Sequence, residues 1–255
     1  MAFRGKVALV TGAASGMGRL ASRRLAAAGA QVAAIDVNEE GLRETADGSD
    51  AIRAYPLDVT DVRAVAELVR RVETELGPVD RVMNAAAIMP TGLLMDQDVP
   101  TVRRIMDINY GGSVAITGAV LPGMLERGRG DLVNFASIAG WSPTLHFGAY
   151  NASKFAVVAY TEVLYHENRG KGVRICCVCP PPVETPLLEQ AKSKPKMLER
   201  MGKPIEPEEV LDAIERGLEK GALFVFPGRG TRFGQLMRRF APGLVWRMVH
   251  RVEGF

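Results

Sequence analysis

The chain has 255 residues, 47 % of them hydrophobic, and a net charge of only +3, so it can bury a sizeable core. No apolar run of about 18 residues occurs, which argues against a membrane-spanning helix. Residues 1–11 lead straight into a glycine-rich stretch and lack the h-region and cleavage site of a signal peptide, so a cytoplasmic location is expected. Arg229, Arg232, Arg238, Arg239, Arg247 and Arg251 against Glu253 give residues 227–255 a charge of +5 and leave the rest at −2. The basicity belongs to the tail, and nucleic acid is not an expected partner.

In chain order, strands are predicted at 6–10, 31–36, 52–57, 80–83, 131–135, 173–178 and 222–226. Helices are predicted at 16–28, in two stretches within 100–127, and at 61–76, 148–169 and 206–220. Strands alternating with helices of this length specify an α/β fold, a parallel sheet covered on both faces. The right-handed crossover rule makes it a Rossmann-type doubly wound sheet. The expected organisation is one domain, residues 1–227, with a basic amphipathic helical tail, residues 228–255. Cys176, Cys177 and Cys179 fall on alternate faces of a strand. With no second Cys/His cluster, they read as buried inert thiols, and no metal site is expected.

Thr11-Gly-Ala-Ala-Ser-Gly-Met-Gly18 lies between the first strand and the first helix. Glycines there let backbone approach a pyrophosphate, and the helix N-terminus favours its charge. Gly12, Ser15, Gly16, Met17 and Gly18 are the expected contacts. Asp36 ends the second strand, where a carboxylate can accept both ribose hydroxyls of an adenosine. It would repel a 2′-phosphate, and no basic residue lies at 13–15 or 37, so NAD(H) is expected over NADP(H).

Further motifs follow in order: Leu57-Asp-Val-Thr60, Asn84-Ala-Ala-Ala-Ile88, Asn109, Ser137, Tyr150-Asn-Ala-Ser-Lys154 and Pro180-Pro-Pro-Val-Glu-Thr185. Together with the glycine loop they make the chain, from Lys6 to about Phe226, resemble the short-chain dehydrogenase/reductase family. The resemblance implies an oxidoreductase that moves a hydride between nicotinamide and the carbon of an alcohol or ketone. It assigns Asp58 and Val59 to the adenine edge, and Asn84, Ala85 and Ala86 to the floor beneath the adenosine ribose. Pro180, Val183 and Thr185 would flank the nicotinamide, and Lys154 would hold its ribose. Asn109 would anchor a water extending a proton relay from Lys154. The family is usually dimeric or tetrameric, through helices around 100–127 and 148–169.

The chemistry has a physical rationale. A phenol of pKa about 10 is a weak base at neutral pH. An ammonium four residues on along a helix favours the phenolate, and Tyr150 and Lys154 have that spacing. Tyr150 would then exchange the substrate proton, with Ser137 hydrogen-bonding the same oxygen. The chain departs from the family pattern at Ala87 and at Pro181, where glycine is common. Those changes are expected to narrow backbone freedom beside the cofactor and to stiffen the nicotinamide loop.

Residues 141–147 should border the substrate, with Met89, Leu187 and Leu188 giving an apolar pocket for a hydrophobic secondary alcohol or ketone. His146 reads either as a substrate contact or, more simply, as a loop residue. Residues 184–203 are expected to form a mobile lid. In the tail, Phe233, Leu236, Met237 and Phe240 form one apolar stripe, and Leu244, Val245, Met248, Val249 and Val252 a second. These helices either pack on a partner subunit, fold over the active site, or make a peripheral membrane contact. The alternative reading of the whole chain is a non-catalytic NAD(H)-binding regulatory or membrane-associated protein. The intact set of Ser137, Tyr150 and Lys154 weighs against it.

Overall fold

The computed structural model describes residues 3, 5–191, 195–196, 200 and 202–254. Among these, seven strands form one parallel sheet: β1 (Val7–Thr11), β2 (Gln31–Asp36), β3 (Ile52–Pro56), β4 (Arg81–Asn84), β5 (Gly130–Phe135), β6 (Val173–Val178) and β7 (Phe224–Val225). Their order, β3-β2-β1-β4-β5-β6-β7, reverses between β1 and β4. Crevices beyond the carboxyl ends of strands at such a reversal are where doubly wound sheets bind ligands. The helices are α1 (Gly16–Ala27), α2 (Glu39–Ala46), α3 (Val62–Glu75), α4 (Val99–Met106), α5 (Gly112–Arg127), α6 (Gly148–Glu167), α7 (Pro186–Glu189), α8 (Pro207–Glu219), α9 (Thr231–Phe240) and α10 (Pro242–Glu253).

Both faces of the sheet are covered, which is why its strands read as nearly continuous apolar runs. On one face Val10, Ala34, Met83 and Val133 pack with Leu25 of α1 and Val210 and Ile214 of α8. On the other, Leu9, Ile35, Val82 and Leu132 meet Val65 and Val69 of α3 and Ile116 and Val120 of α5. The thiols divide as the strand period predicts: Cys176 joins the first face, while Cys177 and Cys179 pack with Val157 and Val158 of α6. All three are buried, and burial pushes the Cys176 thiol far above its ordinary range.

Two features differ from the sequence reading. Helix α2 was not expected, because only Gly41, Leu42 and Thr45 of its eight residues are buried. A capping bond starts it, the Gly41 amide donating to the Asn38 side chain at 3.1 Å. The 100–127 region is not simply two helices, since a π-helical turn at Asp107–Gly111 separates α4 from α5 and turns Asn109 into the interior. The expected lid over 184–203 includes residues outside those described. Its described residues include α7, and Val183 just before it bridges to Ile205.

At the amino ends of the strands, away from the crevice, Arg81 is fully buried. It donates to Asp131 (2.7 and 3.0 Å) and Glu215 (2.6 Å), and Arg174 joins through Asp131. This charged knot ties β4, β5, β6 and α8 at the closed end of the sheet.

Candidate active site

A cleft of about 290 Å³ runs along the carboxyl ends of β1, β2 and β4. The β1–α1 loop forms one wall, and its glycines are required by space as well as conformation. Gly12 has φ +67°, and a Cβ there would stand 2.8 Å from the Ala86 amide. A Cβ on Gly18 would stand 2.1 Å from the Gly12 carbonyl oxygen, closer than any side chain permits. Ser15 starts α1 without a side-chain capping bond, and the first turn contains no acid. The helix therefore presents its positive end and first-turn amides to the cleft, a donor set that suits a pyrophosphate.

Asp36 stands at the far side of this cleft, held by the Ala14 amide (3.1 Å) and the Asn38 amide (3.0 Å). Its remaining lone pairs are available to a ribose diol. The nearby guanidinium of Arg19 is committed to Glu44 (2.7 Å) and to the backbone oxygens of Ala14 and Gly41. Asp58 and Val59 line the same cleft beside Leu57, and Ala85 and Ala86 form its floor with Ala87 and Ile88. An adenine dinucleotide fits these residues by charge and by backbone approach.

A larger chamber of about 450 Å³ adjoins the cleft, sharing Met17, Ala85, Ala87, Thr185 and Leu187 with it. Ser137, Tyr150 and Lys154 meet in its wall. Ser137 follows β5, where the strand end exposes its side chain, and its hydroxyl accepts from the Ala139 amide at 3.1 Å. Tyr150 and Lys154 come from the first turns of α6, one turn apart. Tyr150 and Ser137 line the same wall, and the Lys154 Nζ donates to the Phe135 carbonyl at 2.7 Å. Three side chains, from α6 and the loop after β5, thus share one wall.

Their electrostatics differ from the sequence expectation. Burial dominates Tyr150 and pushes its pKa up to about 12, the Ser137 hydroxyl working against the rise. Burial also lowers Lys154 to about 8, with Cys177 and Cys179 acting in the opposite sense. An apolar chamber penalises the phenolate more than the neighbouring groups favour it. At neutral pH the phenol is therefore protonated and the lysine still largely charged.

The structure brings most predicted residues together. Met89, Leu187, Leu188, Pro180, Val183 and Thr185 line the chamber, as do Ser142, Pro143, Thr144 and Phe147 of the 141–147 segment. Trp141 turns away to pack on Phe224 and donates to the Cys179 sulfur at 3.3 Å. His146 does not line the chamber; it occupies a left-handed turn (φ +66°), and its carbonyl accepts from Gly92. The Asn84 side chain lies in the core, donating to Asn134 at 2.9 Å, and the residues after it line the cleft. Asn109 is fully buried, with its side chain on both backbone groups of Ile88 (2.8 and 3.0 Å) and on Ser153.

Sequence reasoning missed Thr11. Its buried hydroxyl accepts the amides of Ala85 and Ala86, both at 3.1 Å, and fixes the cleft floor. The replacement of glycine at 87 carries no strain, because Ala87 keeps an ordinary φ. The helices α9 and α10 fold over their own chain. Gly230, Phe233, Met237, Val245, Met248 and Val249 complete the chamber roof.

The short chain dehydrogenase model matches residues 6–196. The chain belongs to the short-chain dehydrogenase family. It is 38 % identical over 189 residues to 2-dehydro-3-deoxy-L-rhamnonate dehydrogenase (NAD(+)) from a Sphingomonas species, covering 74 % of this chain and 76 % of that one. A short chain dehydrogenase/reductase from Burkholderia phymatum, solved in complex with NAD, superposes with a TM-score of 0.86. It is 25 % identical, and the match covers 96 % of each chain. An actinorhodin polyketide ketoreductase variant solved with NADPH gives a TM-score of 0.80 at 30 % identity, covering 89 % of this chain and 97 % of that one. The doubly wound fold and the oxidoreductase class follow from this membership.

Proposed function

We propose that this enzyme transfers a hydride between NAD(H) and the carbinol or carbonyl carbon of a hydrophobic secondary alcohol or ketone, with Tyr150 exchanging the proton. The observation that carries the reading is that Tyr150, Ser137 and Lys154 share the wall of one apolar chamber, with Tyr150 and Lys154 one helical turn apart. Bound in the cleft, the nicotinamide cofactor supplies the hydride or accepts it. Gly12, Ser15, Gly16, Met17 and Gly18 would hold its pyrophosphate, and Asp36 its adenosine ribose. Asp58, Val59, Ala85 and Ala86 would border the adenine side, and Pro180, Val183 and Thr185 the nicotinamide side.

In the reductive direction the substrate oxygen accepts hydrogen bonds from Tyr150 and Ser137. The protonated phenol passes its proton to that oxygen as hydride reaches the carbon. Oxidation runs the same path backward, Tyr150 taking the alcohol proton. The Lys154 ammonium favours the transient phenolate and would hold the nicotinamide ribose. Asn109 acts in this scheme by fixing the Ile88 backbone at the cleft floor, and by anchoring a water that leads from Lys154.

NAD(H) is favoured over NADP(H) because the Asp36 carboxylate would face a 2′-phosphate while Arg19 is engaged elsewhere. The apolar lining supports a substrate more hydrophobic than the sugar acid named for the Sphingomonas relative. Residues 1–227 are the proposed catalytic domain and 228–255 its extension. The outward Phe155 and Val163 of α6, 41 % and 56 % exposed, support pairing of copies through α5 and α6.

The test is a panel of secondary alcohols with NAD and of ketones with NADH, including steroid-like compounds, followed by nicotinamide absorbance. Turnover of apolar members supports the reading. Turnover confined to sugar acids contradicts the substrate class, and turnover only with NADP(H) contradicts the cofactor choice.

A further inference from the structure

The tail helices use one side to roof the chamber and leave another side to solvent. Phe233, Leu236 and Phe240 of α9, with Leu244 and Met248 of α10, are between 40 % and 78 % exposed. Contiguous apolar surface of this kind usually marks an interaction site. Arg229, Arg232, Arg239, Arg247 and Arg251 stand exposed on the same segment. Among the described residues none of these five forms an ion pair. Among the described residues the patch therefore has neither a hydrocarbon cover nor an ion-paired partner for these arginines.

An anionic lipid surface supplies both at once, hydrocarbon beneath and phosphates around. The position of the chamber mouth favours it over a protein partner. Phe233, Leu244 and Met248 line the chamber and are also exposed, so the mouth opens within the patch. A protein seated there would stopper the chamber, whereas a lipid surface leaves it in contact with apolar solvent.

We propose that α9 and α10 dock on an anionic membrane surface, with the apolar stripe at the headgroup boundary and the arginines on lipid phosphates. A hydrophobic alcohol or ketone then passes between bilayer and chamber without crossing water. That second step rests on the substrate class proposed above; the docking does not.

The test is cosedimentation of the full chain with vesicles of phosphatidylcholine alone and of phosphatidylcholine mixed with phosphatidylglycerol. Binding is expected to the mixed vesicles only, weakening as salt is raised. Leu236→Ser with Phe240→Ser, both outside the chamber lining, should weaken it about tenfold or more. Arg239→Gln with Arg247→Gln should weaken it about fivefold for each charge removed. NADH binding by the variants checks that they are folded. No sedimentation with either vesicle, equal sedimentation with both, or binding untouched by both double variants overturns the docking. A dimer that the Leu236 and Phe240 substitutions dissociate also overturns it, because the patch then belongs to a second copy. Docking by a chain that turns over no alcohol or ketone supports the docking and contradicts only the reaction.

Discussion

The Lys154 ammonium stands 5.6 Å from the centre of the Tyr150 ring, and burial moves the two groups in opposite directions. The phenol is held protonated, while the ammonium is brought to the edge of losing its proton near pH 8. The pair is therefore a protonated phenol beside a weakened cation, rather than a standing phenolate.

That arrangement has a consequence for stability. The folded chain binds the Lys154 proton less tightly than the unfolded chain, whose lysine titrates near 10.5. Unfolding therefore takes up a proton in the window from about pH 8 to 10.5, and the wild type gains stability as pH rises through it. Tyr150, with its pKa raised from 10, acts in the opposite sense only above pH 10. Lys154→Met removes the titration. Its stability relative to wild type should fall by about 2 kcal/mol between pH 8 and pH 10 in urea unfolding. A difference that does not change with pH would contradict a buried, titrating lysine.

Asp36 makes a separate prediction. Wild type should bind NADH more tightly than NADPH in a fluorescence titration. Asp36→Ala should cost roughly tenfold in NADH affinity, the loss of hydrogen bonds to a charged acceptor. It should also narrow the gap to NADPH. Tighter NADPH binding by the wild type would refute the assignment.

Gly18→Ala tests the packing of the glycine loop. The added methyl meets the Gly12 carbonyl at 2.1 Å, and backbone cannot yield as a side-chain tip can. A loss of about 1–3 kcal/mol in stability is expected, together with weakened cofactor binding. Unchanged melting and unchanged NADH affinity would show that the loop is looser than its geometry.

Much of the fold could be read because buried parallel strands are apolar throughout and the long helices carry clear periodicity. Helix α2 could not, since a short charged helix with one buried aliphatic residue has little pattern to detect. The grouping of the candidate site was legible where residue type suggests chemistry, since Ser137, Tyr150 and Lys154 line one chamber and Asp36 the adjoining cleft. The bond from Asn84 to Asn134 was not legible, because a polar side chain at a strand end looks the same whether it faces a cleft or the core. The i,i+4 spacing of Tyr150 and Lys154 also says nothing about how deeply either is buried, and burial decides their protonation here. The tail showed its apolar stripes but not the surface they would cover.

The roof of the chamber offers a kinetic prediction. Phe233→Ala with Met237→Ala removes apolar wall far from the reacting oxygen, so ground state and transition state lose binding alike. KM for a bulky hydrophobic substrate should rise about tenfold with kcat little changed, while NADH affinity stays level. An equal fall in kcat with KM unchanged would place these residues in the chemistry instead.

The most direct measurement pairs turnover with cofactor binding in Tyr150→Phe. The substitution removes one hydroxyl from a buried ring and should lower kcat by at least about a hundredfold on any alcohol the wild type oxidises. NADH affinity, read by fluorescence titration on the same sample, should stay within about twofold of wild type. Retained turnover with intact NADH binding would contradict the assignment of the proton to Tyr150.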